Sequence, residues 1–275
     1  MATPIQSWLP HSGGSAQTPF FLLAGPCAIE DATTPFEVAQ TVKAWCAALG
    51  IPYVFKGSYR KANRTSSSSF TGIGDAAALE ILARVRQEVG VPVVTDIHET
   101  HEAKLAAEFV DVLQIPAFLC RQTELLHAAG ETGKVVNIKK GQFAGPEVMR
   151  FAAEKVAETG NHQVLLTERG TTFGYTDLVV DYRNFAWMQQ YGFPVVFDGT
   201  HSLQQPNSAS GVTGGRPQLI ETLARAAAAV GVDGFFLEVH PEPSRAKSDA
   251  ANMLRLDLLE GLLTRLVRIA QAARA

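Results

Sequence analysis

Short apolar runs alternate along this chain with longer segments in which apolar residues recur at helical spacing. Each run has the length of a buried strand, and four of the helical segments end at a glycine, the usual C-terminal stop (Gly50, Gly90, Gly160, Gly231). The eight runs are FFLLAGPC (20–27), YVFKG (53–57), PVVTDIH (92–98), VLQIPA (112–117), VVNIKKG (135–141), QVLLTERG (163–170), PVVFDGT (194–200) and GFFLEVH (234–240). The pattern predicts eight strand–helix units in succession.

Eight such units without a linker, in a chain of 275 residues, predict an α/β fold: a single-domain (β/α)8 TIM barrel spanning residues 20–275. A doubly wound open sheet is the alternative, but no GxGxxG follows the first strand to support it. The first nineteen residues are polar and rich in Gly, Ser and Pro. They are predicted to form a short N-terminal extension or hairpin (1–19).

The polar positions within the runs fall on one face of each strand. In VVNIKKG, Val136 and Ile138 share one face, while Asn137 and Lys139 share the other. The same alternation puts Glu238 on the polar face of the last run. These polar residues cluster at the carboxyl ends of their strands, where barrel active sites are built. The sequence therefore predicts a polar site at the mouth of the barrel.

Composition narrows the class of protein. Hydrophobic residues make up 46% of the chain and the net charge is −3, which fits a globular protein and argues against a nucleic-acid binder. Three cysteines without close spacing (Cys27, Cys46, Cys120) argue against a disulfide framework and favour a reducing compartment. No signal peptide and no long apolar run is evident, so we expect a cytoplasmic protein without a membrane partner.

A concentration of cations follows the second strand, in the stretch FKGSYRKANRTSSSSF (55–70). Arginine presents a planar fork to phosphate oxygens, lysine a point charge, and hydroxyl groups complete the shell. Lys56 ends this strand, and Lys139 and Arg169 end the fifth and sixth strands. So many cations at one mouth imply an anionic ligand with two phosphates, or with a phosphate and a carboxylate.

Two less specific explanations of these cations remain open. A basic run is often only a solvated loop. Alternatively, each cation at a strand end pairs with a local carboxylate, for instance Lys56 with Asp96 or Arg169 with Glu168. Lys139 also admits a different chemistry, because a buried lysine with a depressed pKa can act as a Schiff-base nucleophile. A Schiff-base aldolase is therefore a rival mechanism.

A candidate metal site comes from three strands that a closed barrel makes neighbours. Cys27 ends the first strand, His201 follows the seventh, Glu238 lies near the end of the eighth, and Asp249 follows in the next loop. A thiolate, an imidazole and two carboxylates suit Zn²⁺, Fe²⁺, Mn²⁺ or Co²⁺ better than Mg²⁺ or Ca²⁺. The alternative is that Cys27 is a small buried hydrophobic residue, since no close ligand spacing is present.

Seven motifs together closely resemble one enzyme family, the 3-deoxy-D-manno-octulosonate 8-phosphate synthases. They are AGPCAIE (24–30), FKGSYRKANRTS (55–66), QIPAFLCRQT (114–123), NIKKGQF (137–143), ERGTTFGY (168–175), DGTHSLQ (198–204) and LEVHPEP (237–243). The resemblance runs from about residue 20 to 260 and implies a (β/α)8 barrel. It also implies condensation of phosphoenolpyruvate with D-arabinose 5-phosphate, which releases phosphate and serves lipopolysaccharide synthesis.

The resemblance assigns expected roles to individual residues. The residues expected to bind phosphoenolpyruvate are Lys56, Lys61, Gln114, Lys139 and Arg169. Those expected to hold arabinose 5-phosphate are Asn63, Arg64 and Thr65, which in the family reach a neighbouring subunit's site, so a homotetramer is expected. Lys61, Lys139 and Asp96 are the candidate catalytic residues, with Lys61 as the candidate proton donor.

Departures from related patterns bear on the metal and on the substrate. The metal-independent class has Asn where Cys27 stands and Cys-Asp-Gly where this chain has residues 248–250, Ser-Asp-Ala. The resemblance therefore implies the metal-dependent class, with Cys27, His201, Glu238 and Asp249 as ligands of one divalent ion. The related 3-deoxy-D-arabino-heptulosonate 7-phosphate synthases, which use erythrose 4-phosphate, carry a KPRTS-like loop instead of KANRTS. That activity and a non-catalytic phosphosugar-binding barrel are the alternatives.

Overall fold

A closed parallel barrel forms the centre of the computed structural model, which describes residues 19–62, 69–173, 176–205 and 213–274. Each strand pairs with the next in chain order, and β8 pairs with β1 to close the ring, with Ala24 opposite Leu237. The barrel strands are β1 (Phe21–Gly25), β2 (Tyr53–Lys56), β3 (Val93–Asp96), β4 (Val112–Ile115), β5 (Val135–Lys139), β6 (Val164–Glu168), β7 (Val195–Asp198) and β8 (Gly234–His240). The predicted (β/α)8 barrel is confirmed.

Eight helices surround the strands in the described part of the chain: α1 (Thr34–Leu49), α2 (Asp75–Arg84), α3 (Thr100–Phe109), α4 (Thr123–Glu131), α5 (Pro146–Ala157), α6 (Arg183–Gln189), α7 (Ile220–Val230) and α8 (Leu259–Arg274). A π-helical stretch, Val85–Val89, continues α2. Gly50, Gly90 and Gly231 end helical segments in the left-handed conformation, and Gly160 adopts it in the turn after α5. None of the helices within these ranges is both long and apolar enough to cross a bilayer.

The core has two layers because successive strand residues face opposite sides. Val136 and Ile138 point outward and join the large cluster beneath the helices, as their alternation predicts. The inner layer fills the lower part of the lumen with Phe21, Leu23, Val54, Val94, Val112, Val135, Leu165, Val196 and Phe236. With this end plugged by apolar side chains, only the carboxyl ends of the strands are left to form an open, polar mouth.

Two short antiparallel pairs lie in the loops at the mouth. Thr171–Thr172 pairs with Leu178–Val179 after β6, and Gln204–Gln205 pairs with Gly214–Gly215 after β7. Apart from residue 19, the predicted N-terminal extension lies outside the described residues. The division into an extension and a barrel domain therefore stays a prediction.

Candidate active site

A cavity of about 730 Å³ opens at the mouth of the barrel. Nine of the residues predicted to form the site line it: Lys56, Lys61, Asp96, Gln114, Lys139, Arg169, His201, Glu238 and Asp249. Cys27 is fully buried against the cavity wall, where its Sγ lies 3.7 Å from Oδ2 of Asp249. Asn63, Arg64 and Thr65, the residues expected to hold arabinose 5-phosphate, lie outside the described residues.

Lys56 and Glu238 form a buried ion pair in the lumen. The Lys56 Nζ lies 2.6 Å from Oε1 of Glu238 and also donates to the Cys27 carbonyl oxygen at 2.8 Å. The local pairing of Lys56 with Asp96 is therefore wrong, because the lysine turns toward β8 instead. Burial opposes ionisation of Glu238, but Lys56 and His201 hold the pKa of this carboxyl well below its usual range.

A chain of hydrogen bonds runs around the lumen from β2 to β6. Asp96 accepts hydrogen bonds from Ser58 and from the side-chain amide of Gln114. The Gln114 Oε1 accepts from Asn137 at 2.9 Å, and the Asn137 Oδ1 accepts from Thr167 at 2.6 Å. Because every link is buried and each amide both donates and accepts, the chain fixes the orientation of Gln114 toward the cavity.

Lys61 lies between two carboxylates at the edge of the cavity. Its Nζ is 3.9 Å from Oδ2 of Asp96 and 3.9 Å from Oε1 of Glu238. Burial acts to lower the pKa of Lys61, but Cys27, Glu238 and Asp96 outweigh it and raise that pKa above the usual value. Burial likewise acts against ionisation of Asp96, whose pKa is nevertheless lowered by Lys56 and Lys61. Lys61 therefore carries a positive charge at the mouth, and Asp96 a negative one.

Asp198 joins Lys139 to His201. Its Oδ2 is paired with the Lys139 Nζ and lies 2.8 Å from Nδ1 of His201. Burial lowers the pKa of Lys139, with Asp198 acting in the opposite direction. The Lys139 Nζ also lies 3.5 Å from the centroid of the Phe236 ring, so an aromatic face from the inner layer forms the floor beneath this cation.

Arg169 faces the cavity, and the acceptors of its hydrogen bonds are neutral. Its Nη2 donates to the His201 carbonyl oxygen at 3.2 Å and to Oε1 of Gln204 at 2.5 Å. The local pairing of Arg169 with Glu168 is wrong: alternation along β6 sends Glu168 to the opposite side of the strand, where it meets Lys140 at 3.4 Å. Burial lowers the pKa of Arg169, although its guanidinium stays charged.

The four residues expected to be metal ligands lie together. One donor atom from each of Cys27, Glu238 and Asp249 lies within 4.8 Å of the other two. The Nε2 of His201 is 3.5 Å from Oε2 of Glu238 and 3.6 Å from Oδ2 of Asp249. Asp249 reaches this position with φ of +48°, in the left-handed region that Asp tolerates better than most residues.

The surroundings of this cluster fit a divalent cation. The Oε2 of Glu238 is buried without a hydrogen-bond partner among the described residues, which is costly unless a cation compensates it. The carboxylate of Asp198 is hydrogen-bonded to Nδ1 of His201, which leaves Nε2 facing the cluster. This arrangement is typical of metal-binding histidines. Burial raises the pKa of the Cys27 thiol to about 12, so a thiolate here requires a cation beside it.

The sequence-based prediction missed three residues that support the site. They are Asp198, Gln204, which also donates to Asp249 at 3.2 Å, and Ser248, whose hydroxyl lies 2.9 Å from the Cys27 Sγ. Asp198 carried a usable signal, because it ends a strand three residues before His201. Gln204 and Ser248 lie in loops, and nothing in their spacing indicates what they contact.

Together the fold and the site define a class: (β/α)8-barrel proteins with a cluster of cations and carboxylates at the barrel mouth. Comparison with known proteins goes further, since residues 12–274 match the DAHP synthetase I family, and the chain belongs to that family. Proteins named 2-dehydro-3-deoxyphosphooctonate aldolase are similar over most of their length. The relative from Koribacter versatilis is 56% identical over 92% of this chain and 91% of its own.

Two further relatives carry the same name. The one from Granulibacter bethesdensis is 55% identical, over 90% of this chain and 88% of its own. The one from Desulfatibacillum aliphaticivorans is 50% identical, over 93% of each chain. The resemblance predicted from the seven motifs is confirmed.

Proposed function

We propose that this chain condenses phosphoenolpyruvate with D-arabinose 5-phosphate and water to give 3-deoxy-D-manno-octulosonate 8-phosphate and inorganic phosphate. The observation that carries the proposal is the cavity at the barrel mouth, where Lys56, Lys61, Lys139 and Arg169 converge. A three-carbon enol phosphate and a five-carbon aldose phosphate supply the eight-carbon skeleton in the relatives' name. The enzyme is accordingly a transferase that breaks a C–O bond and serves lipopolysaccharide synthesis.

The distribution of charge favours phosphoenolpyruvate next to Arg169, with Lys139, which is itself paired with Asp198, as a second cation nearby. Lys56 is committed to Glu238, and Lys61 lies between the carboxylates of Asp96 and Glu238. In the described structure, the hydrogen bonds of Arg169 go to neutral acceptors, so its charge is available to an anion. A guanidinium fork with an ammonium group nearby suits a ligand that carries both a phosphate and a carboxylate. Gln114, fixed by its amide network, supplies a neutral donor.

The reaction forms one C–C bond and breaks one C–O bond. C3 of phosphoenolpyruvate attacks the aldehyde carbon, whose oxygen takes a proton, while the oxygen of water bonds to C2. The resulting hemiketal phosphate then loses inorganic phosphate by C–O cleavage. Lys139 and Arg169 offset the charge of the phosphoenolpyruvate and of the collapsing intermediate. Lys61 is held protonated beside Asp96 and is the candidate donor to the developing alkoxide.

One divalent ion would be held by Cys27, His201, Glu238 and Asp249. The ions that match this set of donor atoms are Zn²⁺, Fe²⁺, Mn²⁺ and Co²⁺. Such an ion supplies Lewis-acid polarisation of the aldehyde oxygen or a more acidic water. Asp198 orients the imidazole of His201, and Lys56 balances the charge of Glu238. Asp198 and Lys56 therefore support the side chains that would bind the ion.

Further parts of the proposal rest on the family resemblance. Asn63, Arg64 and Thr65 would bind the phosphate end of arabinose 5-phosphate in the site of a neighbouring subunit. The chain would then act as a homotetramer, and it would do so in the cytoplasm. Size-exclusion chromatography with light scattering tests the tetramer directly.

Phosphate release from phosphoenolpyruvate and arabinose 5-phosphate tests the proposal, before and after a strong chelator and with divalent ions added back. We expect activity that is lost with the chelator and restored by a divalent ion. Activity that the chelator leaves unchanged would keep the reaction and overturn the metal assignment. Turnover only with erythrose 4-phosphate would favour the heptulosonate synthase, and tight phosphoenolpyruvate binding without any turnover would favour a non-catalytic barrel.

A further inference from the structure

Another buried ion pair lies directly behind Lys139 and Arg169, two of the cations assigned to phosphoenolpyruvate. The Lys140 Nζ lies 3.4 Å from Oε1 of Glu168, and both side chains are fully buried. Lys140 follows Lys139 and Glu168 precedes Arg169 in the chain, so alternation turns one pair away from the lumen and the other into it. Neither Lys140 nor Glu168 lines the cavity, and a direct role in chemistry is therefore excluded.

Lys140 binds the backbone of both loops that follow β5 and β6. Its Nζ lies 3.2 Å from the Ala144 carbonyl oxygen, 3.4 Å from those of Gly141 and Gly170, and 3.0 Å from Oγ1 of Thr171. One ammonium group thus replaces water for several carbonyl groups that come from two separate loops. Losing it would leave these buried acceptors unsatisfied and release the loops from each other.

Glu168 completes the link on the β6 side. Its Oε1 accepts from the backbone N–H of Gly170 at 2.6 Å, and its Oε2 accepts from Nδ2 of Asn184 in α6 at 2.8 Å. The Glu168 carboxylate thereby fixes the backbone on both sides of Arg169. On the β5 side, the Lys140 N–H donates to the Thr167 carbonyl oxygen at 2.8 Å, which fixes the strand end that carries Lys139.

We propose that Lys140 and Glu168 are positioning residues for the phosphoenolpyruvate site, which set the relative placement of Lys139 and Arg169. The inference rests on the proposed function, since it takes phosphoenolpyruvate as the ligand of those two cations. Small displacements of binding groups carry large kinetic penalties: a shift of about 1 Å costs on the order of 100-fold in rate. A pair that does not touch the ligand therefore controls how well the ligand is bound and oriented.

The test uses the full-length chain with the double substitution K140M/E168Q. Removing both charges together leaves no unpaired buried ion, and the glutamine side chain that replaces Glu168 keeps an oxygen for the Gly170 N–H, so the variant is expected to fold. The matched control is R86M. Arg86 pairs with Asp111 at 3.0 Å, and Asp111 accepts from the first N–H of β3, at the opposite end of the barrel. Melting temperature, the Kd for phosphoenolpyruvate by calorimetry, kcat and both KM values are measured for each protein.

We expect K140M/E168Q to weaken phosphoenolpyruvate binding by at least about tenfold, with KM for the pentose phosphate within about twofold of wild type. R86M is expected to lower the melting temperature while leaving both KM values unchanged. A double variant whose phosphoenolpyruvate Kd and KM match wild type would overturn the inference alone. A wild-type chain that neither binds nor turns over phosphoenolpyruvate would overturn the proposed function and the inference together.

Discussion

Lys56 Nζ lies 2.6 Å from Oε1 of Glu238, which joins a cation expected to bind phosphoenolpyruvate to a carboxylate expected to bind a metal. The two predicted subsites are therefore not independent, because one buried ion pair belongs to both. Lys56 occupies only one oxygen of the carboxylate, and Oε2 is left toward His201. Changing either partner is consequently expected to affect stability as well as ligand binding.

The Lys56–Glu238 pair leads to a prediction about stability. Lys56→Met leaves Glu238 charged in the lumen with more distant cations, and breaking a buried pair in this way costs about 3 kcal/mol of the free energy of unfolding. K56M/E238Q removes both charges and is expected to recover much of that loss. Urea denaturation of the metal-free proteins measures both values. Equal destabilisation by the single and double variants would contradict the pairing.

Asp198 leads to a prediction about metal affinity. Carboxylates that orient metal-binding histidines typically contribute 10–100-fold to affinity, so D198N is expected to weaken divalent-ion binding by about that factor. Competition with a chromogenic chelator measures it without relying on activity. D233N is the control, since Asp233 is a half-buried carboxylate that binds the Val195 N–H at the other end of the barrel. Unchanged affinity in D198N would exclude His201 from the ligand set or Asp198 from its support.

The fold was predictable because its signal is local and repeated. Alternation within each strand, together with glycine stops such as Gly50 and Gly231, predicts both the number of units and which face of each strand is apolar. Closure of the barrel then follows from the number of units, and the pairing of β8 with β1 confirms it. Residues 63–68, which include the expected arabinose 5-phosphate loop, lie outside the described chain, so this part of the prediction remains untested.

The site was predictable only as far as position in the chain determines it. Position at a strand end indicated Lys56, Lys139 and Arg169, which line the cavity, but their pairings depend on contacts across the lumen. Lys56 is long enough to approach either Asp96 or Glu238, and side-chain rotamers decide between them. The contact of Lys140 with Glu168 depends instead on register, because Lys139 lies opposite Thr167, and a barrel's stagger is not evident in a single strand.

Lys139 leads to a prediction that separates the proposed mechanism from a Schiff-base aldolase. Burial lowers the pKa of this lysine, as a nucleophilic amine requires, yet Asp198 holds it as an ion pair. The enol phosphate is already a carbon nucleophile and needs no imine. Borohydride added in the presence of either substrate, and then removed, is therefore expected to leave activity and protein mass unchanged. A reduced adduct on the peptide that contains Lys139 would support the aldolase mechanism instead.

Asp31 leads to a prediction about pH, at a distance from the active site. Its Oδ1 accepts from the backbone N–H groups of Thr33 and Thr34 at 2.7 Å each, at the start of α1. Partial burial acts to raise the pKa of Asp31, but hydrogen bonds from Thr34 and Thr33 outweigh it and lower the pKa below the usual value. A carboxyl with a depressed pKa in the folded state stabilises the protein above its unfolded-state pKa, and that contribution is lost as pH falls through the folded-state pKa.

D31A is therefore expected to lower the free energy of unfolding by about 1 kcal/mol at neutral pH, the usual net contribution of an intramolecular hydrogen bond. The difference from wild type should shrink as pH falls below about 4, the unfolded-state pKa of an aspartate, and should be lost once the pH passes below the depressed folded-state pKa of Asp31. Urea denaturation at a series of pH values measures this, with E37A as a control that removes the same charge from the first turn of α1. If the difference in the free energy of unfolding between D31A and wild type stayed constant down to about pH 3, this prediction would be wrong. The charge of the Asp31 carboxylate would then contribute nothing, and its hydrogen bonds to the start of α1 would act only through their geometry.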